Sequence, residues 1–177
     1  MNSMLKKFIV LVFFATFTAI VGTATTNAVD LTEEKQVIIQ QTCISAQTVL
    51  QKIQHNDAAN RVNRGQVYET LGSRLMTPLN TRATSNGYDS SATFLIDTTK
   101  RYRQALNDFK DHYENYDNSV SAALRTKCKD KPSVFYGHIE DARRHRQSVA
   151  SDITNLSSLI GEYRFNVGKL RSEVNNE

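Results

Sequence analysis

Residues 135–174 read FYGHIEDARRHRQSVASDITNLSSLIGEYRFNVGKLRSEV. Stepping alternately by four and three meets Phe135, Ile139, Ala142, Arg146, Val149, Ile153, Leu156, Ile160, Tyr163, Val167, Leu170 and Val174. Every one of these except Arg146 is a residue that a core accepts. A 4-3 repeat held over so many turns marks a long helix that lays an apolar seam against partner helices.

Two upstream segments carry the same step. Leu95, Thr99, Tyr102, Leu106, Phe109, Tyr113, Tyr116, Val120 and Ala123 form the seam of a second helix. Before it, Ile39, Cys43, Ala46, Leu50 and Ile53 keep the rhythm until it meets the polar residues Asp57 and Asn60. Val62, Val67, Tyr68, Leu71, Leu75, Met76 and Leu79 continue less regularly. The pattern predicts one long first helix with a stutter or kink near Asn56–Asp57. A full break there gives the alternative, a four-helix bundle. Pro78 lacks an N–H and its ring crowds the preceding turn, so it kinks the last turns. Gly65 and Gly72, seven apart, either admit a close backbone or are merely tolerated.

The helix ends are also signalled. Asp30 with Glu33 three residues on resembles a capping box, and Glu33 and Glu34 suit the positive end of a helix dipole. Asn86–Gly87 is a stop signal, Asp89-Ser90-Ser91 supplies caps for the next helix, and Pro132 suits a first turn. Short connections make neighbouring helices antiparallel. The fold read from this is all-α: an elongated up-down-up three-helix bundle, coiled-coil-like, in one domain over residues 29–177, with helices about 31–84, 90–127 and 132–175. Asp97–Arg101 and Glu140–Arg144 are i,i+4 surface pairs.

Ahead of the bundle, Lys6-Lys7 precede the apolar run Phe8–Val21 and then small residues. That order is a secretory signal pattern, with cleavage near Thr25 or Val29. Residues 1–28 are therefore read as a signal peptide, or as an uncleaved signal anchor, and the remainder as extracytoplasmic. Of the net charge of +4, Lys6 and Lys7 supply two. So mild an excess, without a basic stripe interleaved with aromatics, points away from nucleic acid.

The two cysteines test the topology. Folding the first helix onto the second about Asn86–Gly87 places Cys43 within a turn of Cys128. In an exported chain this predicts a Cys43–Cys128 disulfide rather than two buried thiols. The same arithmetic brings Arg146 level with Tyr113, Glu114 and Tyr116, and with Asp57 and Asn60. Three interruptions of three seams thus project to one height as a candidate polar layer. Its bland role is to fix helix register, with Arg146 hydrogen-bonded in place or reaching water. Its sharper role is a small-ligand or ion site between helices.

No catalytic constellation stands out. The chain has no Glu-x-x-His for a di-iron bundle, no CxxCH for heme, and no nucleophile motif. His138 and His145, like His55 and His112, read as surface residues. No metal and no cofactor is assigned. Arg143-Arg144-His145-Arg146 reads as a solvated helix face. Arg125, Lys127, Lys129 and Lys131 form a basic tip at the second connection, suited to contact with an anionic membrane surface.

Leu31-Thr32-Glu33-Glu34 resembles the start of the Leu-Thr-x-x-Gln motif of small helical periplasmic stress proteins, which act as ATP-independent chaperones. Here Lys35 stands fifth, Gln36 comes one late, and the second copy of the motif is missing. The resemblance covers six residues and implies a holdase as an alternative. The leading expectation is an exported non-enzymatic interaction or structural module of the cell envelope or surface, with an unidentified protein partner. A ligand- or metal-binding bundle is the third option.

Overall fold

In the computed structural model, which describes residues 30–176, the seams become long helices and no strand occurs among the described residues. The leader, residues 1–28, lies outside them. Helix α1 spans Glu33–Thr70, a π-helical turn spans Leu71–Met76, and α2 spans Thr77–Ser85. Backbone angles at the joints are helical (Leu71 −58°, −49°; Thr77 −60°, −50°), so these three pieces form one rod. Helix α3 spans Asp89–Arg125 and α4 spans Pro132–Asn175. The three-helix bundle is the observed fold.

The irregularity of the first rod is not at Asn56–Asp57, where α1 continues unbroken. It lies at Leu71–Met76, just before Pro78. An α-helix cannot accept the proline ring against the carbonyl four residues back, and a π turn relieves that contact. The Gly72 carbonyl takes both the Thr77 N–H and the Thr77 hydroxyl, the latter at 2.7 Å. Gly72 is itself buried, with the Tyr102 ring against its backbone.

Helix ends depart from the sequence expectation. Asp30 makes no cap. The N-cap of α1 is Thr32, without a side-chain bond, and Gln36 Nε2 instead donates to the Leu31 carbonyl at 3.0 Å. Asp89 is already helical in α3, whose N-cap is Tyr88. Gly87 (φ 81°) closes the rod in a left-handed conformation, with Gly87 N–H to Thr84 O and Tyr88 N–H to Ala83 O, both 3.1 Å. That pair of bonds is a Schellman stop and uses two carbonyls that the helix end would otherwise leave open. Pro132 opens α4 as anticipated.

Helix α3 is the centre. All nine of its seam residues, Leu95 through Ala123, are buried. In α4 the burial is uneven. Phe135, Ala142, Leu156, Tyr163 and Leu170 are buried, whereas Ile139, Ile153, Ile160 and Val167 are only partly covered. Leu159 and Asn166, outside the expected seam, are buried instead. The α4 seam is thus rotated toward α3. Helix α1 packs less fully, with Cys43 its one buried residue.

Polar links hold α1 to α3. Gln47 Nε2 donates to the Leu124 and Thr126 carbonyls at 3.1 and 2.9 Å, satisfying open acceptors at the end of α3. Gln54 Nε2 donates to Asp117 and Ser121, Lys110 pairs with Glu69 at 2.7 Å, and the Tyr102 hydroxyl donates to the Tyr68 carbonyl at 2.8 Å. Cys43 and Cys128 are placed as a disulfide, Cα–Cα 5.6 Å, across 85 residues of sequence. A loop of that size is worth up to about 4–5 kcal/mol on chain entropy alone. Asp97–Arg101 forms at 3.0 Å, and Arg101 also pairs with Glu162 of α4. Glu140 pairs with Arg143, not Arg144, which turns to Asp141; both bridges span three residues rather than four.

The two glycines of the first rod should respond oppositely to alanine. A Cβ at Gly72 would lie 3.3 Å from Tyr102 Cε1, and Tyr102 is fully buried with its hydroxyl tied down. Gly72→Ala should therefore lower stability by about 1–3 kcal/mol despite the better helix propensity. Gly65 has nothing within 4 Å of such a Cβ, and Gly65→Ala should gain about 0.5–1 kcal/mol. Urea denaturation of both variants checks the pair, and a reversed order overturns this account of the π turn.

Candidate functional site

The polar layer projected from the sequence is partly assembled. Asp57 is the hub: its Oδ2 accepts the Tyr116 hydroxyl at 2.7 Å and lies 3.3 Å from Arg146 Nε. The Asp57 side chain is 19% exposed and that of Arg146 is 63% exposed. Arg146 is therefore on the rim and not inside the seam. Tyr116 and Tyr113 stand edge to face at 5.7 Å, and the Arg61 guanidinium covers the Tyr113 ring at 5.0 Å.

Two members separate from the group. Glu114 is exposed and makes no hydrogen bond or ion pair among the described residues; adjacent to Tyr113 in sequence, it points about 100° away around the helix. Asn60 is exposed beside Arg146 and makes no side-chain bond among the described residues. Matching heights along helices gave the level correctly but carried no information on direction. The Tyr113 hydroxyl is buried without a hydrogen-bond partner, which costs about 1–3 kcal/mol. His112 meets Asp152 at 2.7 Å on the α3–α4 side instead of joining this group.

A second polar cluster escaped the sequence reading. Buried Asn80 donates through Nδ2 to Thr99 Oγ1 at 2.8 Å, and its Oδ1 accepts the Tyr163 hydroxyl at 2.8 Å. The Met76 carbonyl is a further 3.1 Å neighbour of that hydroxyl. Three helices thus meet on one amide. The signal was present: Asn80 lies four after Met76 and three before Ala83, both buried. The irregular end of the first seam hid it.

Burial raises the pKa of Tyr102, Tyr113, Tyr116 and Tyr163, the last to about 12. For Tyr116 the hydrogen bond to Asp57 adds to the effect of burial. The Arg101 hydrogen bond lowers that of Glu162.

The concave surfaces fall into two kinds. A polar groove of about 550 Å³ runs between α2 and α3, bordered by Thr77, Thr81, Thr84, Lys100 and Arg103. Three recesses follow one another along the junction of the first rod with α4. They measure about 490 Å³ near Val49 and Ile139, 190 Å³ near Asn60 and Arg146, and 460 Å³ near Leu75 and Ile160. Among the described residues no cluster of three or more His, Cys, Asp or Glu side chains is arranged to hold a metal. No described helix is long and apolar enough to cross a membrane. No protein-family model, curated protein or solved structure matches the chain.

The tyrosines supply two checks. Tyr116→Phe removes a bond to a carboxylate and should cost about 1.5–3 kcal/mol, whereas Tyr113→Phe removes an unpartnered hydroxyl and should be neutral or stabilising; chemical denaturation at pH 7 separates the two. In alkali, a tyrosine held neutral in the folded state favours folding until the unfolded chain ionises. Stability should be level below about pH 10 and fall from there toward pH 12, with Tyr102, Tyr116 and Tyr163 each adding up to about 1.4 kcal/mol per pH unit to the slope and Tyr113 acting in the same direction. Thermal melts of the protein and of Tyr163→Phe across this range measure it, and an unchanged slope in the variant contradicts the assignment.

Proposed function

We propose that the chain is an exported, non-enzymatic helical module of the cell envelope or surface that binds another protein through its first helix. The observation that carries this is the outward distribution of large aliphatic side chains on α1. Val37, Ile38, Ile44, Val49, Val62 and Val67 are all 47–64% exposed. Single exposed apolar residues are ordinary, but a helix that turns this many of them outward reads as a surface awaiting a partner. Val37 and Ile44 are seven apart and Val62 lies eighteen beyond Ile44, so the three share one outer face of a regular helix.

Export rests on the Lys6-Lys7 leader pattern and on the cysteine pair, which suits an oxidising compartment. The basic tip, Arg125, Lys127, Lys129 and Lys131, is exposed at the α3–α4 connection and favours contact with an anionic membrane surface. A chaperone-like holdase is the second reading. It is favoured by the open, largely apolar recesses along the first rod, the concave surface that such an activity needs.

Photocrosslinking residues placed at Ile44 and Val62 in cells producing the full chain test the leading reading. Discrete protein adducts that disappear in the Ile44→Glu/Val62→Glu variant, with thermal stability unchanged, are the expected outcome. Absence of any adduct at either position overturns it, and suppression of aggregation of an unfolded client without discrete adducts favours the holdase.

A further inference from the structure

The α1–α4 junction is the least closed of the three helix pairs. It is walled by a row of α4 in which half-covered Ile139, Ile153, Ile160 and Val167, with exposed Arg146 among them, recur every seven residues. The opposite wall changes from Val49 and Ile53 at one end to Leu71, Leu75 and Leu79 at the other. Helix α1 and α4 run parallel, so the three recesses form successive stations of a single furrow. From Thr42 to Arg82 it extends about 60 Å at the helical rise.

The furrow is basic. Arg74, Arg82 and Arg164 border the apolar station near Leu75 and Ile160, and Arg64 borders the narrow one. None of these four arginines has a carboxylate within ion-pair distance among the described residues. Asp57, already engaged by Tyr116 and Arg146, is the one acid lining these stations. Arg143, at the first station, holds Glu140, so the unpaired guanidinium groups belong to the second and third stations.

We infer that this furrow receives an acidic amphipathic helix of a partner protein, which completes a four-helix bundle. The inference rests on the interaction reading above and names its partner chemistry. Helix-in-groove recognition uses apolar anchors spaced i, i+3/i+4 and i+7, and Leu71, Leu75 and Leu79 present matching steps of four. The free guanidinium groups lie on both walls of the last two stations, from Arg64 to Arg82, about 27 Å at the helical rise. A row of carboxylates flanking an apolar stripe matches that spread, whereas a single anionic head group on an acyl chain does not. A second copy of this chain is a poorer occupant, because without Lys6 and Lys7 the net charge is still +2.

The test uses the protein as purified from the cells that export it, with a fluorescent 28-residue peptide carrying Leu at its a and d positions and Glu on the flanks. A control peptide carries Lys in place of Glu. We expect the Glu peptide to bind by anisotropy and the Lys peptide not to bind. In Arg74→Glu/Arg82→Glu/Arg164→Glu, whose circular dichroism and melting temperature should be unchanged, affinity for the Glu peptide should drop at least about tenfold and preference should pass to the Lys peptide. Hydrogen exchange should slow at Leu71–Leu79 and Ile160–Val167 in the complex. Equal binding of both peptides, binding indifferent to the charge reversal, or no binding overturns the inference. Concentration-dependent dimerisation that blocks the furrow, seen by sedimentation, also overturns it and assigns the furrow to a second copy. Failure of the peptide with the Ile44 and Val62 crosslinks intact removes the furrow assignment alone, whereas loss of both removes the interaction reading as well.

Discussion

Everything in this fold depends on how α1 is fastened to a hairpin that is more complete than it is. Helix α3 is buried from end to end and α4 carries buried residues in both of its halves, whereas α1 contributes one, Cys43. At that end the attachment is covalent, through Cys128. At the other end it is the packing of Met76 and Ala83 and the buried amide of Asn80, shared by Thr99 and Tyr163. Between these points run hydrogen bonds and ion pairs, from Gln47 and Gln54 to Glu69. The middle of the rod is thus positioned without being covered. Apolar side chains can remain outside there because the ends, rather than a continuous core, fix where the helix lies.

The two polar clusters divide this work. Asn80 is enclosed, and its partners come from the two other helices, so only one alignment of the three satisfies it. A buried group that demands specific partners penalises every slipped register. Asp57 sits at a rim. It holds Tyr116 and draws Arg146 across the junction, but solvent screens that pair and its contribution is small. The residue that first breaks the seam on paper is therefore a weaker register device than an asparagine that sits quietly inside a row.

The sequence was most legible where burial is symmetric. Every seam residue named for α3 is buried, because a central helix has partners on both sides and its full apolar stripe is used. In α4 the same spacing predicted two equivalent rows. One of them faces the incompletely packed α1, and the burial moved to Leu159 and Asn166 on the α3 side. Spacing tells which residues share a face, but not which neighbour fills it. The cysteine pairing succeeded because distance along antiparallel helices is set by the rise per residue alone. Glu114 failed because azimuth is not. The caps at Asp30 and Asp89 failed for a similar reason: the residue type was present, but the first turn began one or two positions away.

The π turn at Leu71–Met76 has a meaning beyond relief of Pro78. It acts as a single-residue insertion in a periodic object, and shifts the phase of everything after it. Buried or half-buried positions run Tyr68, Gly72, Met76, Asn80 and Ala83, with three successive steps of four where the heptad follows each four with a three. Strict heptad spacing from Tyr68 and Gly72 would have carried Leu75, Leu79 and Arg82 inward and left Met76 and Asn80 at the surface. An insertion near the start of a rod would rotate all that follows; placed here, it re-aims only the nine residues of α2. One local defect thereby decides which of two chemistries, an amide that locks the bundle or an arginine-edged row of leucines, the helix turns toward its own core and which it shows to others.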